Sequence, residues 1–333
     1  MTTALRAAGI TGIGFSVPSR VMTNHDLEKM VDTSDDWIFS RTGISERRIL
    51  EPGRATSDMA TEAANRALAS GDVSPEQVDL IIVATCTPDM IFPSTASLVQ
   101  DRIGAKHAAA FDLSAACSGM IYAMSVATQF VATRAYDTVL VIGAEALSRI
   151  TDWSDRSTCV LFGDGASAAV IQAVPDGKGF LSFHLGSDGS GAEMLKIEAG
   201  GSRMPASAES VAGSCHTIKM AGNEVFRFAI TIVAEAGRVA LDLAGLTIDD
   251  VDLFVPHQAN IRIIDSAAKR LGIPQEKIFT NVDRYGNTSA ASVGIALAEA
   301  SESGRLRPGD TTLLVGFGAG LSWASAVLRW GMK

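Results

Sequence analysis

Residues 67–83, ALASGDVSPEQVDLIIV, align without a gap on residues 240–256, ALDLAGLTIDDVDLFVP. Ala67/Ala240, Leu68/Leu241, Val78/Val251, Asp79/Asp252 and Leu80/Leu253 match, every pair 173 residues apart. The same offset carries DTVLVIG (137–143) onto DTTLLVG (310–316), whereas ASAAV (166–170) meets ASAVL (324–328) at 158. Separate segments sharing one offset point to an internal duplication rather than to the general likeness of short apolar strands. Few folds are open to a chain made of two similar halves.

Each half has the same expected order of elements. A helix at 59–70 or 226–244 precedes an apolar strand at 79–84 or 252–256. A small-residue turn and a second helix follow (117–134, 288–303), then strands at 137–142 and 165–172, or at 310–315 and 323–330. Strands apolar along their whole length, alternating with helices, belong to sheets covered on both faces. The expected fold is therefore α/β, with halves 1–176 and 177–333 stacked as helix, sheet, helix, sheet, helix. The 117–134 helix fits the central layer, and the linker falls near Asp176–Gly179. Segment 186–216, rich in Gly, Ser and Ala, reads as an excursion or lid.

Composition removes several classes of function. The 333 residues allow a large core, and a net charge of −9 argues against a broad basic surface for nucleic acid. Cys86, Cys117, Cys159 and Cys215 have neither disulfide-framework nor zinc spacing, which favours a reducing, cytoplasmic setting and no metal. The first residues, MTTALRAAGITGIGF, lack the charged start and continuous apolar core of a signal peptide. The stretch from Leu113 to Thr133 carries no charge, yet it is rich in Ser, Ala, Thr and Gly. It reads as a helix buried in a soluble protein rather than a membrane span.

The duplication also organises the chemistry. DLSAACSGM (112–120) puts Cys117 at the start of a helix, where the local field favours a thiolate. VPHQAN (255–260) puts His257 just past the carboxyl end of a strand, where α/β proteins keep ligand sites. RYGNTSAAS (284–292) puts Asn287 at the matching helix start of the second half. GFGAG (316–320) follows the last repeat-matched strand, and its backbone N–H groups can approach a ligand closely. Taken singly, each has a plainer reading: a structural histidine, an asparagine N-cap, a glycine turn. Together they make a nucleophile, a base and an oxyanion site. FGDGASAA (162–169) reads as a tight turn, and Cys86, Cys159 and Cys215 as inert packing.

DLSAACSGM, VPHQAN, RYGNTSAAS and GFGAGLSWASA resemble the active-site motifs of the β-ketoacyl-[acyl-carrier-protein] synthase III family, the initiating condensing enzymes of type II fatty acid synthesis. DTSDDWIFSRTGISERR (32–48) and KMAGNEVFRFA (219–229) are similar to that family too. The resemblance runs from about Ile10 to Trp330 and implies a thiolase-like, duplicated five-layer fold. Elongating synthases of related type pair the cysteine with two histidines, and thiolases use a second reactive cysteine. The Cys-His-Asn set here resembles the initiating class.

That resemblance implies a decarboxylative Claisen condensation with no cofactor. Cys117 would be acylated by an acyl-CoA, acetyl-CoA foremost. His257 and Asn287 would hold the enolate formed from malonyl-acyl carrier protein. Backbone N–H groups of Cys117 and Ala319 would form the second oxyanion hole. The family assigns Trp37, Arg41 and Arg156 to the nucleotide end of CoA, and Gly222 and Asn260 to its pantetheine arm. Phe92 matches a position that closes the acyl pocket across a homodimer interface. Arg262, Lys269 and Arg270 share a helix face that would dock the acidic carrier protein. The alternatives are a secondary-metabolism ketosynthase with another primer and a non-catalytic acyl-binding partner. Nucleic acid and membrane are not expected partners.

Overall fold

The computed structural model describes residues 5–332. It opens with strand β1 (Ala8–Ser16) and a small ribbon of β2 (Val21–Thr23) and β3 (Glu46–Arg48), between which lie helices α1 (Asn24–Leu27) and α2 (Asp35–Thr42). Then come α3 (Thr56–Ser70), β4 (Leu80–Ala84), α4 (Thr95–Ile103), β5 (Ala109–Leu113), α5 (Gly119–Ala132), β6 (Thr138–Ala146), the one-turn α6 (Arg156–Cys159) and β7 (Asp164–Ala173). The second half starts at β8 (Gly179–Ser187) and continues through β9 (Leu195–Lys196), α7 (Ala208–Ala212) and β10 (Lys219–Met220). It ends with α8 (Gly222–Ala244), β11 (Leu253–Pro256), α9 (Ile261–Leu271), α10 (Val282–Tyr285), α11 (Ala291–Glu302), β12 (Thr311–Gly318) and β13 (Ser322–Arg329).

The two main sheets follow one design. The first has the order β1-β7-β6-β4-β5 and the second β8-β13-β12-β11. In the first, β4 lies parallel to both β5 and β6, while β7 and β1 run antiparallel. In the second, β11 is parallel to β12, and β13 and β8 are antiparallel. Where the first sheet has β5, the second has a single parallel bridge between Phe254 and Ile278.

Three apolar layers hold the stack together. Met59, Ala63 and Ala67 of α3 pack on Ile81, Leu140 and Val170 of the first sheet. Met120, Met124 and Ala127 of α5 and Val293 and Leu297 of α11 fill the space between the sheets, against Ile82, Val141, Val255 and Leu314. Val233 and Ala240 of α8, with Ile264 and Ala267 of α9, cover the far side of the second sheet. The uncharged stretch read as a buried helix is α5. Among the described residues no helix is long and apolar enough to cross a membrane.

The repeat-matched aspartates do the same work in both halves. Asp79 donates its N–H to the Thr138 carbonyl, and its Oδ2 accepts the Thr138 N–H, both at 2.9 Å. Asp252 does likewise with Thr311, at 2.9 and 2.8 Å. Each aspartate therefore pins one parallel strand against its neighbour at the start of the pairing. Strands β1 and β8 went unforeseen, because β1 reads AGITGIGFS and its glycines break any apolar alternation. Those glycines admit α3: a Cβ on Gly12 would lie 2.3 Å from the Ala67 carbonyl oxygen, and one on Gly14 2.6 Å from the Ala67 nitrogen. The segment after β8 is an excursion, as expected. Leu195 and Ile197 from it form part of the wall described next.

Candidate active site

Cys117 lies in a short 3-10 turn, Ala116–Ser118, immediately before α5, and is 8% exposed. Ala116 reaches that turn through a φ of +46°. Ser289, 173 residues later, has the same φ of +46° just before α11. The glycines beneath are paired in the same way. A Cβ on Gly316 would lie 3.2 Å from the Cys117 carbonyl oxygen, and one on Gly143 2.5 Å from that of Ala290, the residue equivalent to Cys117. Each sheet thus supports the helix start of the other half, and the duplication brings the two starts together. Gly318 is closer still, since a Cβ there would sit 2.7 Å from the Cys117 nitrogen. The glycines of GFGAG make room first of all for the cysteine's own backbone. Gly318→Ala should therefore destabilise the protein by ~1–3 kcal/mol through overpacking. Denaturant unfolding measures that, and the alkylation rate of Cys117 should change with it.

His257 follows β11 and is 2% exposed. Its N–H donates to the Val315 carbonyl at 2.7 Å, and its Nδ1 lies 2.5 Å from the Ser292 hydroxyl. Phe317 meets the imidazole edge-on with ring centres 5.3 Å apart. Asn287 is not an N-cap, as α11 begins only at Ala291. Its Oδ1 accepts the Ser289 N–H at 2.9 Å, an Asx-type turn that leaves the amide NH₂ for the cavity. Its main chain is tied to the loop before β7, donating to Leu161 and accepting from Gly163.

Two cavities meet at Cys117. One, of about 110 Å³, is lined by Cys117, His257 and Asn287 together with Gly222, Asn260 and Phe226. The other, of about 200 Å³, has an apolar wall that includes Leu147, Ile150, Phe162 and Ile218, and it holds Cys86, Ser289 and Ala319. Cys86 lines this space and so is not core packing, while burial holds its thiol well above the ordinary range; Cys159 is fully buried.

Burial and neighbouring groups act on Cys117 beside the expected field of the helix start. Burial pushes its thiol up to about 12, the Ser289 hydroxyl pulls it down, and the Glu145 carboxylate pushes it up again. The turn is at a helix start, whose field opposes that desolvation. Burial lowers His257 to about 3, so its imidazole is neutral and acts as a neutral hydrogen-bonding group. Burial raises Glu145 to about 7 against hydrogen bonds from the Thr87 hydroxyl, the Cys86 N–H and Ser289. Glu145 was not foreseen; the only signal was a lone charge closing the apolar run TVLVIGAEA.

The remaining expected residues fall into three groups. The Arg156 guanidinium stacks over the Trp37 ring at 4.9 Å and donates to the Asp32 carbonyl at 2.7 Å. Arg41, exposed on α2, accepts the Asn260 side-chain amide on its carbonyl at 3.1 Å, which fastens α2 to the cavity rim. At Gly222 a Cβ would find only the Met220 methyl, at 3.7 Å, so nothing in the chain's packing requires glycine there. Arg262 is exposed on α9 with its guanidinium 5.5 Å from the Phe226 ring, and Lys269 and Arg270 are exposed in the last turn. Phe92 is 82% exposed and lines neither cavity of its own chain. Among the described residues no cluster of His, Cys, Asp and Glu is arranged to hold a metal ion.

Residues 111–189 match the family profile of 3-oxoacyl-[acyl-carrier-protein] synthase III, and 241–330 match that of its C-terminal part. The β-ketoacyl-[acyl-carrier-protein] synthase III of Symbiobacterium thermophilum is 58% identical over 327 residues, 98% of this chain and 99% of that relative. The crystal structure of 3-oxoacyl-[acyl-carrier-protein] synthase III from Aquifex aeolicus superposes with a TM-score of 0.91 at 47% identity, covering 97% of this chain and 100% of the other. A priming β-ketosynthase from the R1128 polyketide biosynthetic pathway superposes at 0.93 with 37% identity, covering 99% and 98%.

Proposed function

The chain belongs to the β-ketoacyl-[acyl-carrier-protein] synthase III family and is a condensing acyltransferase of that class, and we propose that it joins an acyl-CoA primer to malonyl-acyl carrier protein through an acyl-enzyme on Cys117. The observation that carries this reading is the meeting of Cys117, His257 and Asn287, from both halves of the chain, on one cavity. Cys117 Sγ attacks the primer's thioester carbonyl, and CoA leaves as its thiol. Malonyl-carrier then takes the vacated channel and loses CO₂, leaving an enolate. In the tautomer that has the Ser292 hydroxyl donating to Nδ1, His257 keeps its proton on Nε2 and, with the Asn287 amide, offers a hydrogen bond to the enolate oxygen. The enolate carbon attacks the acyl group, the bond to Sγ breaks, and the 3-ketoacyl-carrier is released. Backbone N–H groups of Cys117 and Ala319 are assigned to the oxyanion of the two acyl-transfer steps.

The stacked Trp37 and Arg156, with Arg41 beside them, suit the adenine and phosphates of CoA, and the open space at Gly222 and Asn260 suits its thin pantetheine arm. The apolar cavity of about 200 Å³ suits a short primer such as acetyl. A homodimer is supported by the exposed edge strand β5, with Phe111 37% exposed, and by Ile91 and Phe92, more than 80% exposed. Phe92 of one copy would then close the acyl cavity of the other. Four free cysteines are in keeping with a cytoplasmic setting. Given acyl-CoA alone, the protein should gain one acyl group on the Cys117 peptide and resist iodoacetamide. No adduct, or an adduct elsewhere, overturns the reading.

Arg262, Lys269 and Arg270 form the proposed carrier-docking face on α9. Arg262→Glu should raise KM for malonyl-carrier roughly tenfold and leave KM for acyl-CoA unchanged. Because Arg262 also packs on Phe226, Lys269→Glu separates charge from packing. Equal effects on both substrates count against docking.

A further inference from the structure

The two N–H groups assigned to the oxyanion come from separate segments of the chain. Cys117 lies in the turn Ala116–Ser118, Ala319 follows β12, and both line the apolar cavity. Neither N–H has a hydrogen-bond partner within the chain among the described residues. Two buried serines tie these segments together: Ser118, next to the nucleophile, and Ser322, the first residue of β13. The Ser118 hydroxyl donates to the Ala115 carbonyl at 2.6 Å, and its oxygen lies 2.9 Å from the Ser322 hydroxyl. The Ser322 hydroxyl reaches the Ala319 carbonyl at 2.9 Å and the Ala115 carbonyl at 3.1 Å. One hydroxyl therefore spans both sides of the oxyanion site.

The plainer role for these hydroxyls is to satisfy buried carbonyls, but Ala115 does not need them, since its carbonyl already accepts the Ser118 N–H at 3.2 Å. The Ala319 carbonyl, past the end of β12, has only Ser322 among the described residues. Nor does the duplication demand the pair: the residue 173 positions after Ser118 is Ala291, which has no hydroxyl. We propose that Ser322, braced by Ser118, is a positioning residue for acyl transfer that sets the spacing of the Cys117 and Ala319 N–H groups. This rests on Cys117 being the acylated residue and on those two N–H groups holding its oxyanion. Ser322 lines neither cavity and acts through Ala319. By holding the carbonyl end of Ala319 it fixes the residue whose N–H is assigned to the developing charge, and without the hydroxyl that anchor is lost. His257 and Asn287 are held instead by Ser292 and Ser289, so the enolate donors do not share the latch.

Two rates test this: single-turnover CoA release from acyl-CoA without carrier protein, and CO₂ release from malonyl-carrier without primer. Ser322→Ala should acylate ~10–10²-fold more slowly at saturating acyl-CoA, the scale of loss expected when a catalytic group is slightly misplaced. The acyl-CoA concentration giving half the maximal rate should not change, and neither should CO₂ release. Ser118→Ala keeps the bond from Ser322 to Ala319 and should slow acylation only about threefold. Added to Ser322→Ala it should slow acylation no further, because Ser118 acts through Ser322. Acylation by Ser322→Ala at the unaltered rate overturns the proposal. So does an equal fall in acylation and CO₂ release, which is the result of a general loosening of the fold. If Ser322→Ala does not fold, Ser118→Ala decides on the same two rates. No adduct on Cys117 in the unaltered protein overturns the acyl-enzyme reading itself, whereas a normal adduct with an unchanged rate in Ser322→Ala overturns only the latch.

Discussion

Cys117→Ala should abolish condensation, lowering it by roughly 10⁴-fold or more, while the protein should still decarboxylate malonyl-carrier. The two half-reactions separate because they are built from different parts. His257 is placed by the end of β11 and by Ser292, and Asn287 by its turn to Ser289 and its backbone bonds to Leu161 and Gly163. None of these contacts involves Sγ. Removing the sulfur deletes the acyl acceptor and leaves the enolate donors where they were, with slightly more room in the cavity. Following CO₂ release and product mass in one reaction measures both. Full condensation by the alanine protein removes Cys117 from the mechanism. Loss of decarboxylation by a protein that still folds shows that the cysteine and the enolate donors act as a unit.

The duplication was legible because residues matching at one offset have one structural task. Asp79 and Asp252 both pin a parallel strand, and Gly143 and Gly316 both carry a helix start of the opposite half. Strand β1 was not legible, because close packing of α3 demanded glycines where a strand would show apolar alternation. Cys117, His257 and Asn287 could be put on a helix start, a strand end and a loop, and the structure brings them to one cavity. Trp37 and Arg156, 119 residues apart in the chain, could be joined only through the family resemblance, and the Arg156 guanidinium does lie over the Trp37 ring.

What escaped the sequence is the field around the cysteine. A helix start is visible in a run of residues, whereas burial and a facing carboxylate are not. Glu145 meets Thr87 and Ser289 across 58 and 144 residues, so no local pattern announces the contact. The helix field was expected to favour the thiolate, and desolvation opposes it in the folded chain.

Asn287→Ala should lower malonyl decarboxylation by ~10²–10³-fold, the usual cost of deleting one preorganised oxyanion donor. Acylation of Cys117 should fall much less. The alanine also removes Oδ1, the acceptor of the Ser289 N–H, so it loosens Ser289, which lines the same cavity as the thiol. Asn287→Asp separates the two effects. A carboxylate oxygen still accepts the Ser289 N–H but offers no donor to the enolate, and its charge opposes the one developing there. The aspartate protein should therefore acylate nearly as fast as the unaltered one and decarboxylate at least as poorly as the alanine protein. Pre-steady-state CoA release reports the first rate and CO₂ release from malonyl-carrier the second. Recovery of decarboxylation in Asn287→Asp would mean that the side chain serves by holding Ser289 rather than by donating to the enolate.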